Sequence, residues 1–543
     1  MLPPTAAVFV ESQHHYADTQ AGAAVDALSA GVDIELTCCD FPAVFGTLAD
    51  SVRNGTVAES AVDGALERGL WSQLRTGAHD PEQCDPFAWL NVSTVVGSPE
   101  HIELAERAAL SALTLLKNGP YIAGQPDPTG DDAGARPALP LDLAAAAEAE
   151  LTVCVVGPNA NQTHAVMGDY HAHGAGPGIV THWQGIRDAT AAVGVKARLV
   201  PTPGCDDVYC PDLDAEALVR DLSHDCGAAI VAVVGTSPWS HMPNVSNACG
   251  CPKGTAIEGE CCDRYGVGLA GRQGDVIRAA VRAAAASGLP NTHVGVVLNA
   301  AMMVDIAEFV RGPGAVGFVM HAPFLGQAAG TAVGRALSDV ATPGGRLATT
   351  WYDAGPSLDG IAGIKDYASA LANTTYQHHT AKPLFPFGSA AVYFPSRVAV
   401  VGAGPPASAP ACSRFSFQAT ALINATDPNA STVVQAYISG SQASRHNPMA
   451  TLVAFRKVLA SQSGTAVTLT VDTADLAEPV QDPTTAAWLP AIVPGERTVT
   501  LADDAGFLTG MGRPVGLSRQ IRITTPNDEP VFLSACDSRR LVP

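Results

Sequence analysis

Apolar residues recur at helical spacing in four stretches near the start of the chain. These are 17–30, two helices within 44–70, and 101–118, with Gly31 as the stop of the first. Residues 32–36 read as a short strand. A Gly/Pro/Asp tract at 119–138 breaks the pattern and reads as a linker. From Leu151 the rhythm changes. Strand-like, mostly apolar runs at 151–156, 197–200, 228–236, 292–298 and 315–320 alternate with amphipathic stretches at 212–222, 272–286, 304–310 and 326–337. Buried strands alternating with helices predict a parallel sheet covered on both faces. After Tyr352 the helical spacing stops, and a Pro/Ala-rich tract at 402–410 precedes strand patterns alone. These run at 414–422, 432–439, 451–458, 466–471, 496–501 and 516–525, as in a β-sandwich. The expected fold class is α/β followed by all-β.

Composition narrows this. At 543 residues the chain is too long for one core. Its net charge of -21, without a basic patch, argues against nucleic acid and anionic membranes and favours neutral substrates. No apolar run is long enough to predict a membrane span. Thirteen scattered cysteines without a CxxC pair point to disulfides rather than zinc, and their odd number leaves at least one thiol unpaired. Sequons begin at Asn54, Asn91, Asn161, Asn244, Asn373, Asn424 and Asn429. Together these imply an extracellular or cell-wall location, although the opening MLPPTAAVFVESQHH is not a signal peptide.

The candidate chemistry lies beyond the strand that ends at Gly235. A long excursion there carries Glu258 and Glu260 between Cys249–Cys251 and Cys261–Cys262. Open α/β sheets place functional residues beyond the carboxyl ends of their strands. A glycosidase needs one protonated carboxyl and one carboxylate. Two acids only two residues apart are a poor pair for flanking one bond, so two solvated acids remain the competing reading. The cysteines around them read as disulfides that stiffen the loop. Trp239, Trp351 and Tyr352 read either as sugar-stacking platforms or as core. His14–His15 and His378–His379 lack supporting metal ligands. No GxGxxG, P-loop or GxSxG run occurs, and nothing implies a metal or a cofactor.

Several segments, in order, resemble the β-xylosidase/α-L-arabinofuranosidase-like branch of glycoside hydrolase family 3. They are AGVDIEL (30–36), SALTLLKN (111–118), LPL (139–141), VVGPNAN (155–161), MGDY (167–170), HWQGI (182–186), PGGRL (343–347), TWY (350–352) and FPFG (385–388). The resemblance implies a (β/α)8 barrel, an αβα sandwich and a fibronectin type III-like β-sandwich. The expected domains are therefore a barrel remnant at 1–110, a linker at 111–138, the αβα sandwich at 139–390, a linker at 391–411 and the type III-like domain at 412–543.

The resemblance also implies roles. The family's acid/base glutamate stands in a context like E-x-x-D-R with G-x-Q behind it. Glu260, Asp263 and Arg264, followed by Gly271 and Gln273, match that context, with Glu258 as the fallback. His14, Arg264 and Trp239 are the expected substrate-binding residues. The nucleophile position falls near Leu2 or before it, where no Asp stands. The expectation is an N-terminally truncated retaining exo-glycosidase with little or no activity, directed at terminal β-D-xylosyl or α-L-arabinofuranosyl units of xylo-oligosaccharides or other plant-type glycans. The alternatives are a β-glucosidase and a non-catalytic, secreted carbohydrate-binding or cell-wall protein.

Overall fold

The computed structural model describes residues 17–35, 43–81, 84–119, 137–168, 171, 178–205, 207–237, 258, 267–312, 314–338, 340–352, 374–391, 393, 396–400, 404–425, 427–428, 430–439, 448–481, 483–484, 488–502, 508, 518–533 and 536. The chain divides into two compact units, with the division near His101.

The N-terminal unit is helical: α1 (Gln20–Ser29), a 3-10 turn Val44–Thr47, α2 (Leu48–Arg53), α3 (Glu59–Arg75) and α4 (Val92–Val95). Thr19 caps α1 by accepting from the Gly22 N–H at 3.0 Å. Its small core is mostly alanine and valine, with Leu28 and Leu48. Of the strand expected at 32–36, residues 32–34 are irregular, Glu35 is a bridge residue and Leu36 lies outside the described residues. Glu35 turns its carboxylate onto the Val44 and Phe45 N–H groups, at 3.0 and 2.7 Å, and caps the 3-10 turn.

Helix α5 (Pro99–Ala112) begins just before the division and gives way to strand β1 (Thr114–Asn118). The helix expected over 101–118 therefore ends six residues early, and the segment expected as a linker supplies a strand. Every residue of TLLKN is buried, and period alone does not separate such a run from a helix.

Next come α6 (Leu143–Glu148), β2 (Thr152–Val156), α7 (His182–Ala191), β3 (Lys196–Leu199), α8 (Ala215–Asp225) and β4 (Ala229–Gly235). These are followed by α9 (Gln273–Ser287), β5 (Val294–Asn299), α10 (Ala307–Val310), β6 (Phe318–His321) and α11 (Ala329–Leu337). The sheet order is β1-β6-β5-β4-β2-β3, with β1 antiparallel to β6 and the rest parallel. Alternate side chains feed two separate cores. Cys154, Val156, Ile230, Ala232 and Val234 join residues of α8, α9 and α10. Val153, Val155, Val231 and Val233 join residues of α6, α7 and α11. The doubly covered sheet is thus present.

On one face α7 and α11 touch backbone to backbone. A Cβ on Gly185 would lie 1.8 Å from the Gly330 carbonyl oxygen, so the helices meet only through glycine. Thr181 and Gln184 form a capping box that fixes where α7 starts.

The C-terminal strands are β7 (Ser396–Val400), β8 (Ser408–Pro410), β9 (Arg414–Ile423), β10 (Ser431–Ser439), β11 (Thr451–Leu459) and β12 (Ala466–Asp472). After them run β13 (Glu478–Gln481), β14 (Trp488–Ile492), β15 (Gly495–Ala502), β16 (Ser518–Thr524) and β17 (Val531–Phe532). A five-stranded sheet β11-β10-β15-β16-β8 and a three-stranded sheet β12-β9-β7 share one core, built from Phe417, Val434, Leu469, Leu501 and Ile521 among others. The alternation of buried and exposed residues in the first half of β9 is the sandwich signature. The linker expected at 391–411 contains β7 and β8, which join the two sheets. Disulfides link Cys154 to Cys226, Cys205 to Cys210 and Cys412 to Cys536, while Cys84 is a free, exposed thiol. No helix among the described residues is long and apolar enough to cross a membrane.

Candidate active site

The carboxyl ends of β2, β4 and β5 converge on one polar corner. Gly235 ends β4 at φ 140°, and a Cβ there would stand 2.2 Å from the Asn299 carbonyl oxygen. Only glycine lets β4 leave the sheet this close to β5. Gln273, the first residue of α9, grips both sides of that exit. Its Oε1 accepts from the Gly235 N–H at 2.7 Å, and its Nε2 donates to the Gly235 carbonyl at 2.8 Å. The amide thus stands in for a neighbouring strand.

One residue on, the Thr236 N–H donates to the Asn299 carbonyl at 2.8 Å. The Thr236 hydroxyl donates to Glu258 Oε2 at 2.6 Å. The same carboxylate accepts from the Ala301 N–H at 2.6 Å (Oε2) and from the Met302 N–H at 3.3 Å (Oε1). The Glu258 N–H in turn donates to the Ser237 carbonyl at 3.2 Å. Glu258 is 9% exposed. Its side chain therefore clips the excursion onto the turn that leaves β5. A buried carboxylate is tolerated where backbone N–H groups and a hydroxyl satisfy its oxygens.

Beneath the clip, Asn299 ties three segments together. Its Oδ1 accepts from His182 Nε2 at 2.9 Å, and its Nδ2 donates to the Ala165 and Thr236 carbonyls at 2.8 and 3.3 Å. Asn159 Nδ2 also donates to the Thr236 carbonyl, at 2.8 Å. His321, which ends β6, donates through Nε2 to the Ala300 carbonyl at 2.7 Å. Burial pushes His321 down to about 4, against smaller upward pulls from Ala300 and Glu258. Burial likewise lowers His182, opposed by its bond to Asn299. Both imidazoles are neutral at ordinary pH and act as fixed donors. No group of three or more His, Cys, Asp or Glu among the described residues could hold a metal ion.

The expected site residues divide sharply. Glu258 lies in the corner. Glu260, His14, Arg264 and Trp239 lie outside the described residues, as do His15, Cys249, Cys251, Cys261 and Cys262. Trp351 is no sugar platform: it is 0% exposed, with its ring edge-on to His321 at 5.1 Å and to Phe385 at 5.9 Å. Tyr352 is partly buried, its hydroxyl accepting from the Thr375 N–H and its ring edge-on to His379. The sequons at Asn54, Asn91, Asn161 and Asn424 are exposed, and those at Asn244, Asn373 and Asn429 lie outside the described residues. Sequence reasoning missed Thr236, Asn299 and His182 as parts of the corner. The available signal was a polar residue closing an otherwise apolar strand, as in VGVVLN.

The glycosyl hydrolase family 3 C-terminal domain matches residues 114–393, just over half of the chain. Beta-D-xylosidase 1 of Arabidopsis thaliana is 29% identical over 387 residues, covering 69% of this chain and 41% of that protein. Beta-xylosidase/alpha-L-arabinofuranosidase 1 of Medicago sativa subsp. varia is 25% identical over 387 residues, with the same coverage. The chain thus spans about two fifths of the length of these relatives. Among solved structures, a family 3 exo-β-xylosidase bound to a xylobiose aziridine probe superposes with a TM-score of 0.68 at 18% identity, over 99% of this chain and 62% of that one. A β-glucosidase from Erythrobacter marinus gives 0.62 at 22% identity, over 95% and 62%. At these identities the superpositions speak for the fold.

Proposed function

The chain belongs to glycosyl hydrolase family 3, and from that premise we propose that its polar corner is the acid/base half of a retaining exo-glycosidase site. The observation that carries this reading is the Glu258 clip. It holds the excursion at the carboxyl edge of the sheet, two residues before Glu260. Glu260 is the proton donor to the leaving glycosidic oxygen and then the base that activates water. Glu258 is the positioning residue, its oxygens already occupied by hydrogen-bond donors. His14, Arg264 and Trp239 are substrate contacts in this reading.

Retaining hydrolysis needs a second carboxylate that attacks the anomeric carbon. No residue is assigned that role here. The substrates are terminal β-D-xylosyl units, with α-L-arabinofuranosyl units as a second class, from xylan-type oligosaccharides. This follows the names of the plant relatives. The solved β-glucosidases of the same fold favour a β-glucoside as the second reading. We read the sandwich as the fibronectin type III-like domain. Three disulfides and four exposed sequons support an extracellular or cell-wall setting with N-glycans.

The test pairs this chain with an N-terminally extended form on aryl β-xyloside, β-glucoside and α-arabinofuranoside. The extended form is expected to release xylose fastest. Its Glu260→Gln variant should lose roughly three or more orders of magnitude in kcat and regain part with azide on an activated aryl glycoside. Its Glu258→Gln variant should keep more activity than that. Full activity of Glu260→Gln overturns the assignment.

A further inference from the structure

Between β3 and α8 the chain folds back on itself in a small loop closed by the Cys205–Cys210 disulfide. The Asp212 N–H donates to the Gly204 carbonyl at 3.2 Å, and the Asp214 N–H to the Pro203 carbonyl at 3.0 Å. Cys210 and Leu213 anchor the loop in the core. Two main-chain oxygens of the loop face the start of α9. The Tyr209 carbonyl accepts from the Arg272 N–H at 2.8 Å, and the Val208 carbonyl accepts from Gln273 Nε2 at 2.5 Å. Gly271 makes that approach possible. It stands at φ 48°, and a Cβ there would lie 2.0 Å from the Tyr209 carbonyl oxygen.

Gln273 is fully buried, and its amide is saturated. One Nε2 hydrogen goes to Val208 and the other to the Gly235 carbonyl, while Oε1 accepts from the Gly235 N–H. A planar amide with three fixed contacts has one orientation. The place of the Val208 carbonyl therefore sets how Gln273 meets Gly235, where β4 ends and the excursion begins. We propose that the Cys205–Cys210 loop is a positioning element for that excursion, acting through Gln273. The path is short: disulfide, Val208 carbonyl, Gln273 amide, Gly235, and then Thr236, whose hydroxyl donates to Glu258. The bonds beyond Val208 are buried, so a displaced partner leaves an unsatisfied polar group rather than one rescued by water. The competing reading is a disulfide that restrains only its own loop. The catalytic consequence rests on Glu260 as acid/base, whereas the mechanical coupling does not.

Hydrogen exchange read by mass spectrometry on the full chain tests the coupling, in peptides spanning 229–237 and 294–303. Cys205→Ser/Cys210→Ser is expected to speed exchange in both roughly tenfold, and Gln273→Met at least as much. Gly204→Ala, which forces the loop off the Asp212 carbonyl with the cysteines intact, should accelerate the same peptides. Joining the cysteine pair to Gln273→Met should add less than about twofold to Gln273→Met alone, because the path to Gly235 is already cut. Cys412→Ser/Cys536→Ser, in the sandwich, should leave both peptides at the wild-type rate. Unchanged exchange without the Cys205–Cys210 bond, additive effects with Gln273→Met, or equal acceleration by Cys412→Ser/Cys536→Ser overturns the proposal. In the aryl β-xyloside assay, Cys205→Ser/Cys210→Ser should lower kcat roughly tenfold for a poor leaving group and little for an activated one, with KM unchanged, since only the former needs the proton. Full activity of Glu260→Gln with the exchange pattern intact rejects the acid/base reading and upholds the coupling.

Discussion

Helices α11 and α3 make an instructive pair. Both are amphipathic in sequence. In α11 every residue but Thr331 and Arg335 is buried, against the sheet and α7. In α3, with 17 residues, only Ala65 is buried. Its apolar stripe of Leu66, Leu70 and Leu74 stays in solvent, with Trp71 beside it 61% exposed. Phe87, Trp89, Leu90, Val92 and Val96 of the same unit are exposed as well. A periodic pattern states which face prefers burial. It does not supply the surface that buries it, and exposed apolar area of this extent marks an interaction surface rather than a finished core. The sheet has two complementary faces to offer, whereas the N-terminal unit has a core of small side chains.

The contrast can be broken most forcefully at the sheet. Phe318 is fully buried in β6, with its ring in the space that a side chain at Gly295 would need. Phe318→Ala should cost about 3–5 kcal/mol, read by denaturant unfolding. A loss below about 1 kcal/mol would mean the sheet is no better packed than the N-terminal helices.

A somewhat smaller effect is expected from pH. His321 is held at about 4 by burial, against an ordinary 6.5. The unfolded chain therefore binds the extra proton first as pH falls. The stability that this neutral imidazole contributes is complete above about pH 6.5. It is lost progressively between about 6.5 and 4, for a total on the order of 3 kcal/mol. His321→Gln should flatten the stability profile in that window, and an unchanged profile would refute the linkage.

The smallest effect belongs to α3. Replacing Leu66, Leu70 and Leu74 singly by Gln should change stability by no more than about 0.5 kcal/mol each, while lowering the binding of a hydrophobic dye. A cost above about 2 kcal/mol at any of them would show that the face is covered in solution, and the comparison would fail.

Much of the fold was legible. The apolar runs of β2, β4, β5 and β6 are buried throughout or nearly so, and a strand covered on both faces needs that composition. The helix in α7 escaped the periodicity reading, although a Thr–x–x–Gln capping box stands at its start. TLLKN was taken into the preceding helix because a run this short fits either period. Of the site, the excursion and its two glutamates were visible as chemistry at a strand's carboxyl end. The partners of Glu258 were not. Two of them are backbone N–H groups, at Ala301 and Met302, which every residue but proline carries and no pattern advertises.

The sequence by itself determined where strands and helices alternate, which faces of them are apolar, and which loop carries the carboxylates. Those properties are local, set by side chains a few residues apart. Only the tertiary structure decided that β1 runs antiparallel beside β6, that Trp351 is core, and that Glu258 is a clip on the turn beyond β5. It also decided that α11 has a partner for its whole apolar face, while α3 meets its small core through Val62 and Ala65 and leaves Leu66, Leu70 and Leu74 exposed. Each of these depends on which distant segments meet, through backbone hydrogen bonds and packed volume that sequence period does not encode.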